Sequence, residues 1–505
     1  MQTLATPAAT DPADFGAIEA RDMIARKALS PVELAEACIA RVEQVDGAVN
    51  ALISRDFSGL RAAADVAEAQ VMAGEPLGAL HGLPFGVKDM IDVKGLPTTY
   101  GSEAFARNIA TSDDALVAAM RAAGGFPMGK TNNPEWSAGG NTRNRVYGVT
   151  ANPYNLEMTC AGSSGGSAVA LACGYSPLAT GSDTGGSLRN PAAYCGIVGF
   201  RPSFGVVPGD NRAAGLMPLP TSGPMARSVA DCGLMLSVIA RADPRDPFTP
   251  VIGGRTLWDA QNFAALPHVN LASKRIAFTE DFGFAPTEKM IRATFAKTVQ
   301  RLAPALGQFD EAHPDCTDAD RIFAVLRAVQ FLGIHAKLVD TQPHFVGPNV
   351  AENVAEGRRY SAEDVAQAIF AQARYAQGWL RFFEQHDYLI TPAVTLSPRP
   401  WRELYPTQID GTATTSYYHW LAMAYASTLA GHPSITIPCG LDPNGLPFGL
   451  QIIGQRHDDL GVLAIAAEFE AVIQGISDLA PRGPDLAALR KAPPLSQAEG
   501  FLNFD

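Results

Sequence analysis

Cysteine is sparse and unpatterned in this chain. Seven occur in 505 residues, at positions 38, 160, 173, 195, 232, 316 and 439, with no CxxC or CxxH spacing. An odd number without such spacing indicates neither a disulfide framework nor a zinc site, and core thiols in a reducing compartment are expected. Positive charge is short as well: 39 Lys and Arg face 51 Asp and Glu, a net −12, and no run is rich in Lys or Arg. Phosphate binding needs a basic face, so composition argues against a nucleic-acid partner and favours a neutral or small substrate. No HExxH motif occurs, which leaves a zinc hydrolase without support, and no serine has a lysine three residues on, which removes the penicillin-recognising Ser-x-x-Lys pattern. No stretch of about 18 uninterrupted apolar residues occurs either. The opening MQTLATPAATDPADF has no basic region followed by an apolar run. A soluble, cytoplasmic protein with no membrane partner is the expectation.

What the chain does have is a large apolar fraction, 47%, with only 18% charged residues. At this length either two domains or one unusually large α/β domain is expected. Ser30-Pro31-Val32-Glu33 is a capping box with proline at the first helical position, and apolar residues follow at helical spacing to Val45. A second helix spans 59–73. The texture then changes: residues 82–95, GLPFGVKDMIDVKG, have the short apolar segments and glycine punctuation of buried strands. A helix over 113–123 and the strand FPMGKT continue an alternation that runs to about residue 240 and implies a mixed α/β sheet with helices on both faces. From 245 to 410 the pattern loosens around prolines and aromatics, with helices at 285–305 and 361–386, and this region is expected to shape a pocket. A strand over 387–394 delivers a loop towards it. Strands over 434–454 and a helix over 458–474 return to the core.

Several catalytic patterns can be weighed against this layout. GGFPMGKT holds a literal phosphate-loop match, Gly124 followed by Gly129-Lys130-Thr131. That loop needs a strand before it and a helix after it, and here the order is reversed, so a nucleotide site is rejected. Gly162-Ser163-Ser164-Gly165-Gly166 fits a GxSxG elbow with Ser164 as nucleophile. Histidines follow it, but none sits in a distinctive motif.

A lysine and two serines remain. The chain has only nine lysines, and Lys88 follows Phe85-Gly86-Val87 in an apolar strand. Burial lowers the proton affinity of an amine, and a neutral amine is a base. A buried ion pair with Asp89 or Asp92 is the alternative role. GSDTGGSLRNPA, residues 181–192, places Thr184, Gly185 and Gly186 before Ser187. Residues so small let a ligand reach backbone N–H groups, as an oxyanion hole beside a nucleophile requires.

Together these stretches resemble the amidase signature family of Ser-Ser-Lys amide hydrolases. GLPFGVKD around Lys88, AGSSGGSAVALA over 161–172, the 24-residue interval from Ser163 to Ser187, and DTGGSLRNPAAYCGIVGFRPSFGVVP over 183–208 all match its pattern. LAGHPSITIPCG and GLPFGLQIIG extend the likeness almost to the end, leaving only 245–410 outside it. Ala161 departs from the glycine that many relatives carry there.

The resemblance implies one large domain over 1–505. Its parts would be a helical N-terminal region (1–75), a catalytic core (76–240), a variable pocket region (245–410), a return to the sheet (411–475) and a C-terminal tail (476–505). It further implies Ser187 as nucleophile, Ser163 on a cis peptide as proton relay and Lys88 as base. Backbone N–H groups of Thr184, Gly185, Gly186 and Ser187 would form the oxyanion hole, with Ser164, Asp183 and Arg189 supporting the loops. No metal or organic cofactor is implied, and a homodimer is possible within the family.

The function expected is hydrolysis of a small or aryl-substituted amide. The alternative is the amidase component of a glutamine-dependent amidotransferase, working with partner chains on charged tRNA. A non-catalytic protein on this fold would be expected to lack Lys88, Ser163 or Ser187. Aromatic and apolar residues over 416–431, SYYHWLAMAYASTLAG, suggest an apolar pocket, although they serve equally as core.

Overall fold

Pro84–Lys88 is a strand buried over all five residues, and its neighbours show why an apolar run is needed there. It lies inside one mixed sheet of eleven strands. In spatial order these are Leu52–Arg55, Phe126–Thr131, Pro84–Lys88, Leu178–Asp183, Thr221–Ala226, Val198–Arg201, Ser434–Leu441, Pro447–Gly454, Tyr388–Pro392, Arg275–Phe278 and Gln308–Glu311. The computed structural model describes residues 11–209 and 217–502. The first ten residues of the N-terminal region and the last three of the tail lie outside the described residues.

In this sheet, among the described residues, parallel pairing is confined to two places. Pro84–Lys88 runs parallel to both of its neighbours, and Arg275–Phe278 does the same near the far edge. The other main-sheet pairings are antiparallel.

Both faces of the sheet are covered, and side-chain alternation demonstrates it. Ile276, Tyr388, Ile390 and Ile452 join one apolar cluster, while their neighbours Ala277, Leu389 and Ile453 join another. Successive residues of a strand point to opposite faces, so these clusters lie on opposite sides. The first takes Leu463, Phe469 and Ile473 from helix Asp459–Gln474. The second takes Ile322 and Phe323 from Ala319–Thr341, Tyr375 and Trp379 from Ala362–Gln385, and Tyr425 from Ala422–Ala430. A single large α/β fold is therefore the outcome, rather than two domains.

The expected helices and strands outside 245–410 are present, including both halves of the Ser30/Glu33 capping box. The strand-like reading of 82–95 shortens to Pro84–Lys88. Beyond it the Asp89 carboxylate accepts hydrogen bonds from the Thr99 and Gly101 amides and turns the chain into a loop. Two helices of the variable region were not anticipated, Ala319–Thr341 and Pro348–Arg359. The first is long and apolar enough to span a membrane by length and composition, and here its apolar residues Ile322, Phe323, Val325 and Leu326 are buried in the protein.

Candidate active site

Lys88 ends its strand where two parallel neighbours bring Thr131 and the Leu178–Asp183 strand alongside. Ligands of open α/β sheets collect at such carboxyl ends. The Lys88 side chain is completely buried. Its Nζ lies 2.7 Å from Ser163 Oγ and 3.0 Å from Ser182 Oγ. Neither suggested ion pair forms: Asp89 faces Lys130 at 3.5 Å instead, and Lys130 also donates to the Ile91 and Pro97 carbonyls and to Thr98. The phosphate-loop lysine is thus a buried strut inside strand Phe126–Thr131. Burial pushes Lys88 down from 10.5 to about 7, against the pull of the Asp183 carboxylate. Desolvation without an adjacent counter-charge is the condition under which a lysine becomes neutral near pH 7.

Ser163 follows a cis Gly162–Ser163 peptide and is fully buried. The next residue, Ser164, precedes helix Gly165–Ala172. Its Oγ accepts from the Ser182 amide at 3.3 Å, and its amide donates to the Ser187 carbonyl at 3.2 Å. Ser164 therefore ties the two serine-bearing loops together. Among the described residues no histidine hydrogen-bonds to Ser163, Ser164 or Ser187, so the hydrolase elbow has no base.

Asp183 organises the second loop. Its carboxylate accepts from the Gly186 amide at 2.8 Å, the Leu188 amide at 3.1 Å, and the Arg189 guanidinium at 3.0 Å twice. Arg201 donates to the Asp183 carbonyl and reaches its carboxylate at 3.4 Å. Burial alone would raise this carboxyl, but the Arg189 and Arg201 charges overcome it and hold Asp183 well below the usual range. Arg189 is itself anchored to the Ala424 carbonyl, Ser427, Thr428 and Gln451. The loop is thus clamped through Arg189 to helix Ala422–Ala430 and to the strand Pro447–Gly454.

Of the four backbone donors expected for an oxyanion hole, three are open. The Thr184, Gly185 and Ser187 amides make no hydrogen bond among the described residues. Gly186 is the correction: its N–H is committed to Asp183, because the loop needs that bond to turn. Gly186 has φ +101°, and a Cβ there would lie 2.5 Å from the Ala424 Cβ, so only glycine fits.

Ser163, Ser182, Thr184, Gly185 and Ser187 line one narrow cleft, closed by Ser137, Gly139, Leu421 and Arg327. Phe323 packs over Gly185 and stacks on Tyr425 with centroids 4.2 Å apart. The aromatic stretch over 416–431 is therefore mostly core, with Leu421 reaching the cleft. Sequence reasoning missed Ser182, Arg201 and Arg327. Ser182 could have been found, since it sits inside the quoted glycine-rich loop two residues before Thr184.

Known proteins to which this chain is similar show its family. The family described as Amidase matches residues 33–463. An acylamidase of Rhodococcus erythropolis is 34% identical over 91% of this chain and 95% of its own length. One component of the glutamyl-tRNA(Gln) amidotransferase of Roseiflexus castenholzii is 31% identical over 90% of this chain and 95% of its own. Among solved structures, a bacterial aryl acylamidase superposes with a TM-score of 0.84 at 27% identity, covering 96% of this chain and 99% of that one. The chain belongs to the amidase signature family and is a hydrolase of amide C–N bonds.

Proposed function

We propose that this protein is a stand-alone amidase that cleaves a small or aryl-substituted carboxylic amide through an acyl-enzyme on Ser187. The observation that carries the reading is the buried Lys88 amine, without a carboxylate partner and 2.7 Å from Ser163, which lines the same cleft as Ser187. As a neutral amine, Lys88 has one lone pair to accept the Ser163 proton while its N–H donates to Ser182. Ser163 in turn takes the proton of Ser187 as the Ser187 oxygen attacks the amide carbonyl. In this reading the Thr184, Gly185 and Ser187 amides receive the developing oxyanion, and one well-aimed donor of this kind contributes about 3 to 4 kcal/mol. Collapse of the tetrahedral intermediate breaks the C–N bond, and the proton held by Lys88 returns through Ser163 to the leaving nitrogen. Water then attacks the acyl-Ser187 ester by the same route, releasing carboxylate and restoring the hydroxyl. None of these steps calls for a metal or an organic cofactor.

The likeness to an acylamidase and to an aryl acylamidase supports the choice of substrate class. The amidotransferase likeness favours a second reading, in which the same serines release ammonia from glutamine for a partner protein. Purified alone, the protein is expected to hydrolyse simple amides and anilides, and glutamine poorly. Intact mass spectrometry after mixing with a slow anilide should show the acyl group added and the aniline lost, with the adduct on Ser187. Glutamine turnover that appears only with amidotransferase partner proteins would support the second reading.

A further inference from the structure

Four arginines are buried among the described residues: Arg41, Arg189, Arg201 and Arg327. Three are neutralised by carboxylates, Arg41 by Asp11 and Asp14, and Arg189 and Arg201 by Asp183. Arg327, only 6% exposed, is the exception. No Asp or Glu oxygen of the described residues lies within 4.0 Å of its guanidinium. Its Nε and Nη2 both donate to a neutral acceptor, Tyr417 Oη, the former at 2.9 Å. Nη1 has no acceptor among the described residues.

The surroundings soften this charge without pairing it. The guanidinium carbon lies 4.7 Å from the Phe331 ring centroid, 5.4 Å from Tyr417, 5.7 Å from Tyr418 and 5.8 Å from Phe323. The nearby acids are directed elsewhere: Glu356 accepts from the Tyr418 hydroxyl, and Glu352 acts on Tyr417 only through its field. Tyr417 is itself fixed by Asn353, which donates to its hydroxyl. The result is a rigidly held cation, with spare donors, in the wall of the cleft that contains Ser163 and Ser187.

A buried, always-charged guanidinium is costly unless it is paired, and its planar fork matches a carboxylate in geometry and charge. We infer that Arg327 is a specificity-determining residue that binds a carboxylate carried by the substrate, so that the preferred substrates are amides bearing an acidic group. This rests on the reading of Ser187 as the nucleophile. The aromatic walls would hold the body of such a molecule while Arg327 fixes its charged end.

The test compares kcat/KM within three pairs that differ in charge but little in shape. These are succinamic acid against butyramide, succinanilic acid against butyranilide, and 4-acetamidobenzoate against 4-methylacetanilide. The first two place the carboxylate on the acyl side and the third on the leaving side. At least one pair is expected to favour the acid by about 50-fold or more, with the advantage mainly in KM. Arg327→Met should bring that ratio below about fivefold, and Arg327→Lys should restore part of it, which a purely structural role of Arg327 would not produce. Should the methionine variant fail to fold by circular dichroism, the wild-type ratio and the lysine variant decide. Equal or better turnover of the neutral member in all three pairs overturns the inference, as does an acid preference that survives Arg327→Met.

Ser187→Ala, assayed on the same compounds, separates the two readings. If it is inactive while the acid preference is absent, only the role of Arg327 falls. If it retains turnover, the reading of Ser187 as nucleophile falls and this inference with it; if the wild type hydrolyses none of the compounds, the proposed substrate class falls and this inference with it.

Discussion

Lys88 and its neighbour Asp89 do not pair with each other: Lys88 reaches across to Ser163 at 2.7 Å, and Asp89 faces Lys130 at 3.5 Å. Lys88 is the last residue of its strand and Asp89 lies in the turn that follows, where its carboxylate accepts from the Thr99 and Gly101 amides, so the turn itself separates this lysine from the nearest acid. A second buried lysine is supplied to neutralise that acid. The arrangement leaves Lys88 desolvated, and desolvation is what lowers its proton affinity to about 7.

That desolvation has a signature in stability. Between the folded value of about 7 and the ordinary 10.5, the unfolded chain binds a proton at Lys88 that the folded chain does not. Stability from this group is therefore present above about pH 10.5 and is lost as the pH falls to about 7, at up to roughly 1.4 kcal/mol per pH unit. Lys88→Met removes the dependence. Urea unfolding should show the variant gaining on the wild type as the pH is lowered from 10 to 7. A difference that is constant over that range would mean that Lys88 titrates normally in the fold.

Gly186 tests the geometry of the loop. Gly186→Ala forces a side chain into φ +101° and against Ala424, and the Asp183 bond to its amide cannot be kept without moving Ser187. At least a hundredfold loss of kcat is expected, together with a lowered melting temperature. Near-normal activity would show that the turn tolerates displacement and that its present shape is not needed for turnover.

Asp183 tests the clamp. Asp183→Asn leaves the Arg189 and Arg201 guanidiniums buried without their shared carboxylate, and breaking a buried pair in this way costs about 3 to 5 kcal/mol. Chemical denaturation should register that loss. A change under about 1 kcal/mol would place most of the anchoring in the Ser427, Thr428 and Gln451 contacts instead.

These residues differ in how visible they are before folding. The loops around Ser163 and Ser187 read clearly because glycine, serine and aspartate are required there by backbone shape, and shape requirements leave local patterns. Helix Ala362–Gln385 was legible, and its ends fall within one residue of the 361–386 expected from the sequence. Ala319–Thr341 was not, because its apolar residues meet neighbours on more than one side, and a helix buried on several sides loses the one-sided period that betrays it. Arg327 went unseen with it. Its significance lies in a missing carboxylate, and a missing partner is a property of the fold that no local stretch of sequence records. The commitment of the Gly186 amide to Asp183 was hidden for the same reason: which donors stay open depends on how the loop closes.

The most direct test of the whole account is the pH–rate profile of the wild type beside Lys88→Ala, Lys88→Arg and Ser163→Ala, with folding verified by circular dichroism. If neutral Lys88 is the base, wild-type kcat/KM should rise with pH along a limb with an apparent pKa near 7 that belongs to the Ser163–Lys88 network. Lys88→Ala should lose that limb with most of the rate. Ser163→Ala should fall by several orders of magnitude, and Lys88→Arg should not rescue, because a guanidinium stays protonated and cannot accept a proton. A Lys88→Arg enzyme nearly as active as the wild type, with the same rising limb, would contradict the account and move the search for the base away from Lys88.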